Sequence, residues 1–230
     1  MAKTALVTGG TGGLGSAVVA RLLEGGWRVV VPWVAEHELE RVPDHDQLTL
    51  VQADLFDADA VASALEIASS AEDAPLRGLV NLVGGFAAGD RIHETPVSEF
   101  DRQFLLNLRP TYLTTQASLR HMVAGGGGSI VCVGTRAALR PFSGAAGYAA
   151  SKAAVIAFAK AVAVEYADDG VRCNVILPSV IDTPANRSSM AGADHDRWVK
   201  PAEIAGTIAY LLSDDASAVS GAEVPVYGRA

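Results

Sequence analysis

The chain has 230 residues, of which 50% are hydrophobic and 19% charged, values typical of one compact globular domain and not of a disordered chain. With 18 basic and 26 acidic residues the net charge is −8, and no basic patch is visible, which argues against nucleic acid and anionic membranes as partners. No apolar run reaches the ~20 residues of a membrane span, and we expect no signal peptide. Cys132 and Cys173 lie in strand-like apolar runs, where a cysteine usually serves as a small buried side chain. Two unpaired cysteines fit a reducing compartment, and we expect a cytoplasmic protein.

The first predicted elements are a strand, a glycine-rich turn and a helix. The apolar run Thr4 to Thr8 predicts a buried parallel strand, and a helical pattern extends from Ser16 to Glu24. Glycines between them allow a pyrophosphate to approach the backbone, and the helix start offers free N–H groups. The turn fits both G-x-G-x-x-G and T-G-x-x-x-G-x-G, although a tight turn without a ligand is the alternative. We predict cofactor contacts from Thr8, Gly9, Thr11, Gly12, Gly13, Leu14 and Gly15.

The second predicted strand, Arg28 to Val31, does not end in the residue that usually reads the cofactor's ribose. An acid there favours NAD and a basic residue favours NADP. This chain has Pro32 and Trp33 there, and the nearest acids are Glu36 and Glu38. The pattern therefore predicts NAD or NADP without a preference. Trp33 either covers the adenine or packs beside the sheet.

Two further strands are expected to end at the same edge. The run from Leu48 to Gln52 predicts a third strand, and the run from Leu79 to Gly85 predicts a fourth that ends in a glycine pair. Asp54 either reaches the adenine amino group or caps the following helix, 58–71. Ligands of open α/β sheets bind at the carboxyl ends of the strands. We therefore predict cofactor contacts from Asp54, Leu55, Val83, Gly84 and Gly85.

The second half continues the alternation of helices and strands. One helix is predicted from Ser98 to about Ala124, and Asn107 on it is either a satisfied core amide or a site residue. A fifth strand over 129–133 is followed by Thr135. The remaining elements are a central helix over 148–166, a strand over 171–177, an irregular lid over about 179–200, a helix over 201–212 and a strand over 224–227. This order predicts one doubly wound, Rossmann-like parallel sheet with helices on both faces and no second domain.

The central helix begins with a tyrosine and a lysine four residues apart, Tyr148 and Lys152. On a helix this spacing puts both side chains on one face. A free phenol has a pKa of about 10. An adjacent ammonium is expected to lower the pKa of Tyr148 towards the range of a general acid or base. A surface pair that merely shares a face is the alternative.

Taken together, these residues resemble the short-chain dehydrogenase/reductase family over nearly the whole chain. The residues that carry the resemblance are the turn Thr8 to Gly15, Asp54, the run Asn81 to Gly84, Asn107, the Tyr148/Lys152 pair, and Pro178 to Thr183. The resemblance implies an NAD(P)(H)-dependent oxidoreductase that acts on a small carbonyl or alcohol and needs no metal. Tyr148 would be the acid/base, Lys152 would lower its pKa and bind the nicotinamide ribose, and Asn107 would hold a relay water. Pro178, Ile181 and Thr183 would lie near the nicotinamide.

One position departs from the family pattern. The substrate-orienting serine is expected thirteen positions before the tyrosine, where this chain has Thr135. A threonine hydroxyl still donates a hydrogen bond, but its methyl group restricts the rotamer. The family resemblance also implies a homodimer or homotetramer, built on the 98–124 and 148–166 helices, with the last strand at a second contact.

A narrower resemblance, to dihydropteridine reductases, covers the second half. It is carried by Val83 to Phe86, Ala137 to Leu139, Asp182 to Met190, and Trp198. This branch implies reduction of a quinonoid pterin, in which the proton goes to a ring nitrogen. A third alternative, from another class, is a nucleotide-binding regulator without catalysis, which explains the missing ribose reader but not the catalytic set.

Overall fold

The computed structural model describes residues 2–229 and contains one seven-stranded sheet in which all strands are parallel. The strand order is β3-β2-β1-β4-β5-β6-β7. The strands are β1 (Thr4–Thr8), β2 (Arg28–Trp33), β3 (Leu48–Gln52), β4 (Leu76–Asn81), β5 (Gly128–Val133), β6 (Val171–Pro178) and β7 (Glu223–Val226). The predicted Rossmann-like fold is therefore confirmed.

Helices cover both faces of the sheet. They are α1 (Gly15–Glu24), α2 (Ala58–Ser69), α3 (Val97–Asn107), α4 (Arg109–Ala124), α5 (Arg136–Leu139), α6 (Ala146–Glu165), α7 (Pro184–Ser189) and α8 (Pro201–Leu212). Side chains from α2, α4 and α6 form one hydrophobic cluster, and side chains from α1 and α8 form a second one on the opposite face.

The central strands are buried on both faces, which explains their continuous apolar runs. In β1, Leu6 belongs to one cluster while Ala5 and Val7 belong to the other, and all three side chains are fully buried. Successive side chains of a strand point to opposite faces, so a strand between two helical layers has no polar side. The functional edge is the one where these parallel strands end.

The helix predicted over 98–124 is two helices, α3 and α4, which are separated at Leu108. Pro110 has no backbone N–H and so cannot complete the helical hydrogen bond to Leu106. The start was also misplaced, because Pro96 occupies the N-cap position and Ser98 lies inside the first turn. The break puts Asn107 at the very end of α3.

Strand β4 begins three residues earlier than predicted, at Leu76, and ends at Asn81. Its early residues pair with β1 through an irregular register next to Thr4 and Ala5. Arg77 and Gly78 conceal this part of the strand because neither residue looks like a buried strand residue. Gly84 and Gly85 therefore lie in a loop beyond the strand.

Helix α6 is long and apolar enough to cross a membrane by length and composition alone. Lys152 and Lys160 interrupt the apolar residues of this helix, so it is not an unbroken apolar run. The buried core helix of a folded domain passes the same test. In this structure α6 packs along β6 and α3, and it buries the side chain of Lys152.

Candidate active site

The glycine turn is specified by the lack of space for side chains. Gly9 has a φ of +63°, and its carbonyl accepts a hydrogen bond from the Gly12 N–H at 3.0 Å. A Cβ on Gly15 would lie 2.0 Å from the Gly9 carbonyl oxygen. No side chain of the described residues caps α1, whose N-cap residue is Leu14. The turn therefore offers open backbone and helix N–H groups to an anion.

The two threonines of this turn are both buried, and their hydroxyls have protein partners. Thr8 accepts hydrogen bonds from the Leu82 N–H at 3.0 Å and, more weakly, from the Val83 N–H at 3.4 Å. It therefore ties the end of β1 to the loop after β4. The hydroxyl of Thr11 instead donates to Oε2 of Glu38 at 2.8 Å.

Glu38 and Arg41 form a small polar cluster over the turn that sequence reasoning missed. The Nη1 atom of Arg41 donates to Oε1 of Glu38 at 2.9 Å and to the carbonyl of Thr11 at 3.4 Å. Both residues lie on a 3-10 helix, Glu36–Arg41, just after β2. Glu38 is one of the two acids nearest to the end of β2 in the sequence, but the sequence does not indicate that the 3-10 helix folds back onto Thr11.

The residues after β2 and β3 lie at the same edge as the glycine turn. Trp33 is partly buried at the end of β2, and the Leu55 side chain belongs to the core. Asp54 is exposed and accepts a hydrogen bond from the Phe56 N–H at 2.9 Å. The alternative in which Asp54 caps the next helix was wrong, because Asp57 caps α2 by accepting from Asp59 at 2.8 Å.

Asn107 joins the glycine pair to α6. Its Oδ1 accepts from the Gly85 N–H at 2.9 Å, and its Nδ2 donates to the Ser151 hydroxyl at 3.1 Å. A Cβ on Gly84 would lie 2.6 Å from that Oδ1. The side chain is therefore a satisfied core amide, as one of the two interpretations expected, and it holds the loop after β4 against the helix that carries Tyr148.

Tyr148 and Lys152 lie on one face of α6 as predicted, but their electrostatics differ from expectation. Burial raises the pKa of Tyr148, and the neighbouring Thr135 hydroxyl opposes this rise. Burial lowers the pKa of Lys152 to about 8, and the neighbouring Cys132 side chain opposes that shift. The Lys152 ammonium donates to the carbonyl of Val133 at 2.9 Å. The expected lowering of the Tyr148 pKa by Lys152 is therefore wrong, because burial is the larger effect.

Thr135 occupies the predicted position beside Tyr148, just past the end of β5. It is nearly fully buried, and its Oγ1 accepts from the Ala137 N–H at 3.3 Å as the N-cap of α5. Because this bond uses a lone pair, the hydroxyl proton is free to be donated. The residue can therefore cap a helix and hold an oxygen atom at the same time.

These groups line one cavity of ≈ 630 Å³ at the carboxyl edge of the sheet. Predicted site residues that line it are Leu14, Gly84, Gly85, Thr135, Tyr148, Lys152, Pro178 and Ile181. Thr183 packs on the turn instead, since a Cβ on Gly13 would lie 3.1 Å from its Cγ2. Thr183 also caps α7, and from the segment after β6 Asn186 and Met190 line the cavity.

Two lining residues, Arg136 and Arg140, were missed by the sequence analysis. Their position directly after Thr135 was the available signal. A second cavity, of ≈ 340 Å³, opens on the other side of Tyr148 and is lined by residues from 87–103 and 144–148. Within 2–229 no group of three or more His, Cys, Asp or Glu side chains is placed to hold a metal ion.

The sequence profile of the family described as short chain dehydrogenase matches residues 3–194. The chain is 32% identical to 2-(R)-hydroxypropyl-CoM dehydrogenase of Xanthobacter autotrophicus, covering 99% of this chain and 98% of the relative. It is 34% identical to cis-4-hydroxycyclohexanecarboxylate dehydrogenase of Sinomonas cyclohexanicum, covering 98% and 95%. A solved 3-ketoacyl-(acyl-carrier-protein) reductase from Brucella melitensis, complexed with NADH, superposes with a TM-score of 0.87 at 30% identity, covering 99% and 98%. These three relatives lend no support to the pterin resemblance, which stays a prediction.

Proposed function

Because the chain belongs to the short-chain dehydrogenase/reductase family, we propose that it transfers a hydride between NAD(H) or NADP(H) and a small carbonyl or alcohol, with Tyr148 as the acid/base. The observation that carries this proposal is that Tyr148, Thr135 and Lys152 line the same cavity. The cavity extends from this set to Leu14 at the glycine turn.

The residues present fit a nicotinamide cofactor. The steric closure at Gly15 and the uncapped start of α1 suit a pyrophosphate. We assign the other contacts to the remaining predicted set: Thr8, Gly9, Thr11, Gly12, Gly13, Leu14, Trp33, Asp54, Leu55, Val83, Gly84, Gly85, Pro178, Ile181 and Thr183. When bound, the cofactor supplies or accepts the hydride.

The protein groups manage the substrate oxygen and its proton. In the reductive direction the Thr135 hydroxyl donates to the carbonyl oxygen, and the phenol of Tyr148 transfers its proton to that oxygen as the carbon is reduced. The raised pKa of Tyr148 keeps the phenol protonated before the reaction. Burial is the larger influence on the phenol, and the Lys152 ammonium acts in the smaller, opposite direction by favouring the phenolate that is left behind.

The side chain of Asn107 is not free to hold a relay water, so we assign any relay role of this residue to its backbone carbonyl. Both ends of the amide are already hydrogen-bonded to Gly85 and Ser151. Its position at the end of α3 leaves the backbone carbonyl at a helix terminus, where it accepts a bond from Thr111 Oγ1 at 3.2 Å. We assign Asn107 mainly to positioning α6 and the glycine pair.

The Glu38 cluster favours NADH over NADPH in this proposal. The carboxylate lies against Thr11, and the same 3-10 helix also carries Glu36 and Glu40. Arg41 is already paired with Glu38. A ribose 2′-hydroxyl can donate to such a carboxylate, whereas a 2′-phosphate would be repelled by it.

Residues 179–200 form the lid of the proposed site. They carry α7 and a short 3-10 helix, His195–Arg197, and their start lines the cavity through Ser179 and Val180. Ion pairing of Asp182 with Arg187 tightens the segment. Loops over the carboxyl edge commonly cover bound ligands.

Self-association as a homodimer or homotetramer and a cytoplasmic location complete the proposal. Leu105 on α3, Tyr112 on α4 and Val164 on α6 are large exposed apolar side chains, which suits packing against a second copy. Strand β7 is at the edge of the sheet and offers a second contact. The free, buried thiols of Cys132 and Cys173 suit a reducing compartment.

A cofactor titration followed by a substrate screen tests the proposal. NADH and NADPH are titrated by fluorescence, and the bound form is then mixed with a panel of ketones, aldehydes and a quinonoid dihydropterin. We expect saturable binding and oxidation of the cofactor by at least one carbonyl compound. Oxidation by the pterin alone would favour the dihydropteridine reductase branch, and binding without oxidation would favour a regulator.

A further inference from the structure

The ≈ 630 Å³ cavity that contains Thr135, Tyr148 and Lys152 is lined by positive charge, although the protein as a whole is acidic. The chain has a net charge of −8, yet the charged side chains that line the cavity are Arg136, Arg140 and Lys152, with no Asp or Glu among the described lining residues. Lys152 is assigned to the acid/base chemistry. The two arginines have no role in that chemistry.

The two arginines flank α5, and neither has an acidic partner among residues 2–229. Arg136 begins α5 and Arg140 follows its end, and the Arg140 N–H donates to the Arg136 carbonyl at 2.9 Å. Residues four apart on a helical turn are neighbours, and like charges at this spacing destabilise the turn. Neither guanidinium forms an ion pair or a hydrogen bond with another residue of the described chain. The cavity therefore presents two guanidinium groups that no acidic side chain of residues 2–229 neutralises.

Arg136 is also oriented by an aromatic ring. Its guanidinium carbon lies 5.1 Å from the centre of the Tyr227 ring, and such stacking restrains the cation without neutralising it. Arg140 is exposed and free to adapt. One cation is therefore restrained by stacking and the other is exposed to solvent, and both line the same cavity.

The cofactor's pyrophosphate does not account for this pair. The pyrophosphate is expected at the turn after β1, whereas the arginines follow β5, two strands away in the sheet order β1-β4-β5. Strands are spaced about 4.8 Å apart, so the two places are separated by about 10 Å. The arginines instead adjoin Thr135, which we assign to the substrate oxygen.

We propose that Arg136 and Arg140 bind an acid group of the substrate, so that this enzyme acts on carbonyl compounds or alcohols that also carry a carboxylate, sulfonate or phosphate. Thr135 precedes the first residue of α5 and Arg140 follows its last, so the two arginines adjoin the residue that we assign to the substrate oxygen. This inference rests on the proposed function, because it takes Thr135 and Tyr148 to mark the reacting end.

Equilibrium binding to the oxidised-cofactor complex tests the proposal without turnover, because a ketone cannot be reduced there. The probes are 4-acetylbenzoate and 5-oxohexanoate, each beside its neutral primary amide, and binding is measured by titration calorimetry with saturating NAD⁺ or NADP⁺. We expect at least one carboxylate to bind about tenfold or more tightly than its amide, since charge-assisted hydrogen bonds to arginine are strong.

Variants identify the source of this preference. In the double variant Arg136→Gln/Arg140→Gln we expect the preference to fall to about threefold or less. Arg140→Lys is expected to retain part of it. Arg120→Gln removes one positive charge at an exposed position of α4, outside the cavity, and should behave as the wild type. Affinity for the cofactor should be unchanged in all of them.

Equal binding of acid and amide by the wild-type protein would overturn the proposal, and so would a preference that survives in the double variant. Loss of cofactor affinity in the double variant without any loss of the acid preference would assign the arginines to the cofactor instead. A normal acid preference in a protein that reduces no carbonyl compound would count against the proposed reaction and leave the anion site standing.

Discussion

The glycine turn and the segment around Thr135 and Tyr148 both lie at the carboxyl edge of the sheet, but the sequence specifies their structures in different ways. The turn depends on missing side chains, since a Cβ at Gly15 would lie 2.0 Å from the Gly9 carbonyl oxygen. The catalytic segment depends on particular side chains, such as a Thr135 hydroxyl that caps α5 and still has a proton to donate. Changes in the turn should therefore affect folding and cofactor binding together, while removal of the Thr135 or Tyr148 hydroxyl should lower the rate of reaction and leave cofactor affinity unchanged.

The largest effect is expected from Gly15→Ala. The added methyl group cannot fit against the backbone of Gly9 and Gly10, so we expect destabilisation of about 3 kcal/mol or more and loss of cofactor binding. Thermal unfolding and cofactor titration measure both. The matched control is Gly206→Ala in α8, where no atom lies within 4 Å of the new Cβ and the change should stabilise by up to about 1 kcal/mol. A Gly15→Ala protein as stable as the wild type would end the distinction between the two regions.

The second-largest effect, a fall in kcat/KM, is expected from replacing Thr135. Thr135→Val removes the donor to the substrate oxygen, and we expect kcat/KM to fall about 10²- to 10³-fold with cofactor affinity unchanged. Thr135→Ser keeps both the donor and the cap of α5 and should retain most activity. If the valine variant is as active as the serine variant, the substrate oxygen is held elsewhere, as a pterin substrate would allow.

The pH dependence of stability tests the burial of Lys152. Its pKa is lowered from 10.5 to about 8 in the folded protein. Between these values the unfolded chain binds a proton that the folded chain has released, so this lysine makes stability rise with pH across that window. Lys152→Met should therefore gain stability over the wild type chiefly below pH 8, by about 3 kcal/mol or less, and the gain should shrink towards pH 10.5.

Chemical denaturation at several pH values measures this gain. Lys160→Met, on the exposed side of the same helix, controls for the loss of a lysine from α6. A gain for Lys152→Met that is constant with pH would show that the ammonium is not penalised by burial.

The smallest effect concerns the cofactor's ribose. Glu38→Gln removes the carboxylate that lies against Thr11. We expect the ratio of NADPH to NADH affinity to rise about threefold to tenfold, because this partly exposed charge is screened by solvent. Glu24→Gln, an exposed change of the same kind at the end of α1, should leave the ratio unaltered. An unchanged ratio in Glu38→Gln would remove this residue from cofactor selection.

The same contrast explains what could be predicted from the sequence. Glycine spacing and the four-residue separation of Tyr148 and Lys152 reflect local geometry, so the turn, the helix and the parallel sheet were all predictable. The direction of the Lys152 ammonium, towards the carbonyl of Val133, depends on how α6 packs against β5. The fold-back of Glu38 onto Thr11 likewise depends on tertiary structure. The break before Arg109 was within reach, because Pro110 was visible in the sequence.

The central claim is that the phenol of Tyr148 delivers the proton to the substrate. The most direct measurement is turnover of Tyr148→Phe at saturating cofactor, beside Tyr112→Phe, which removes an exposed hydroxyl on α4. We expect kcat of Tyr148→Phe to fall about 10²- to 10⁴-fold with cofactor affinity unchanged, and Tyr112→Phe to match the wild type. Undiminished turnover in Tyr148→Phe would contradict the account.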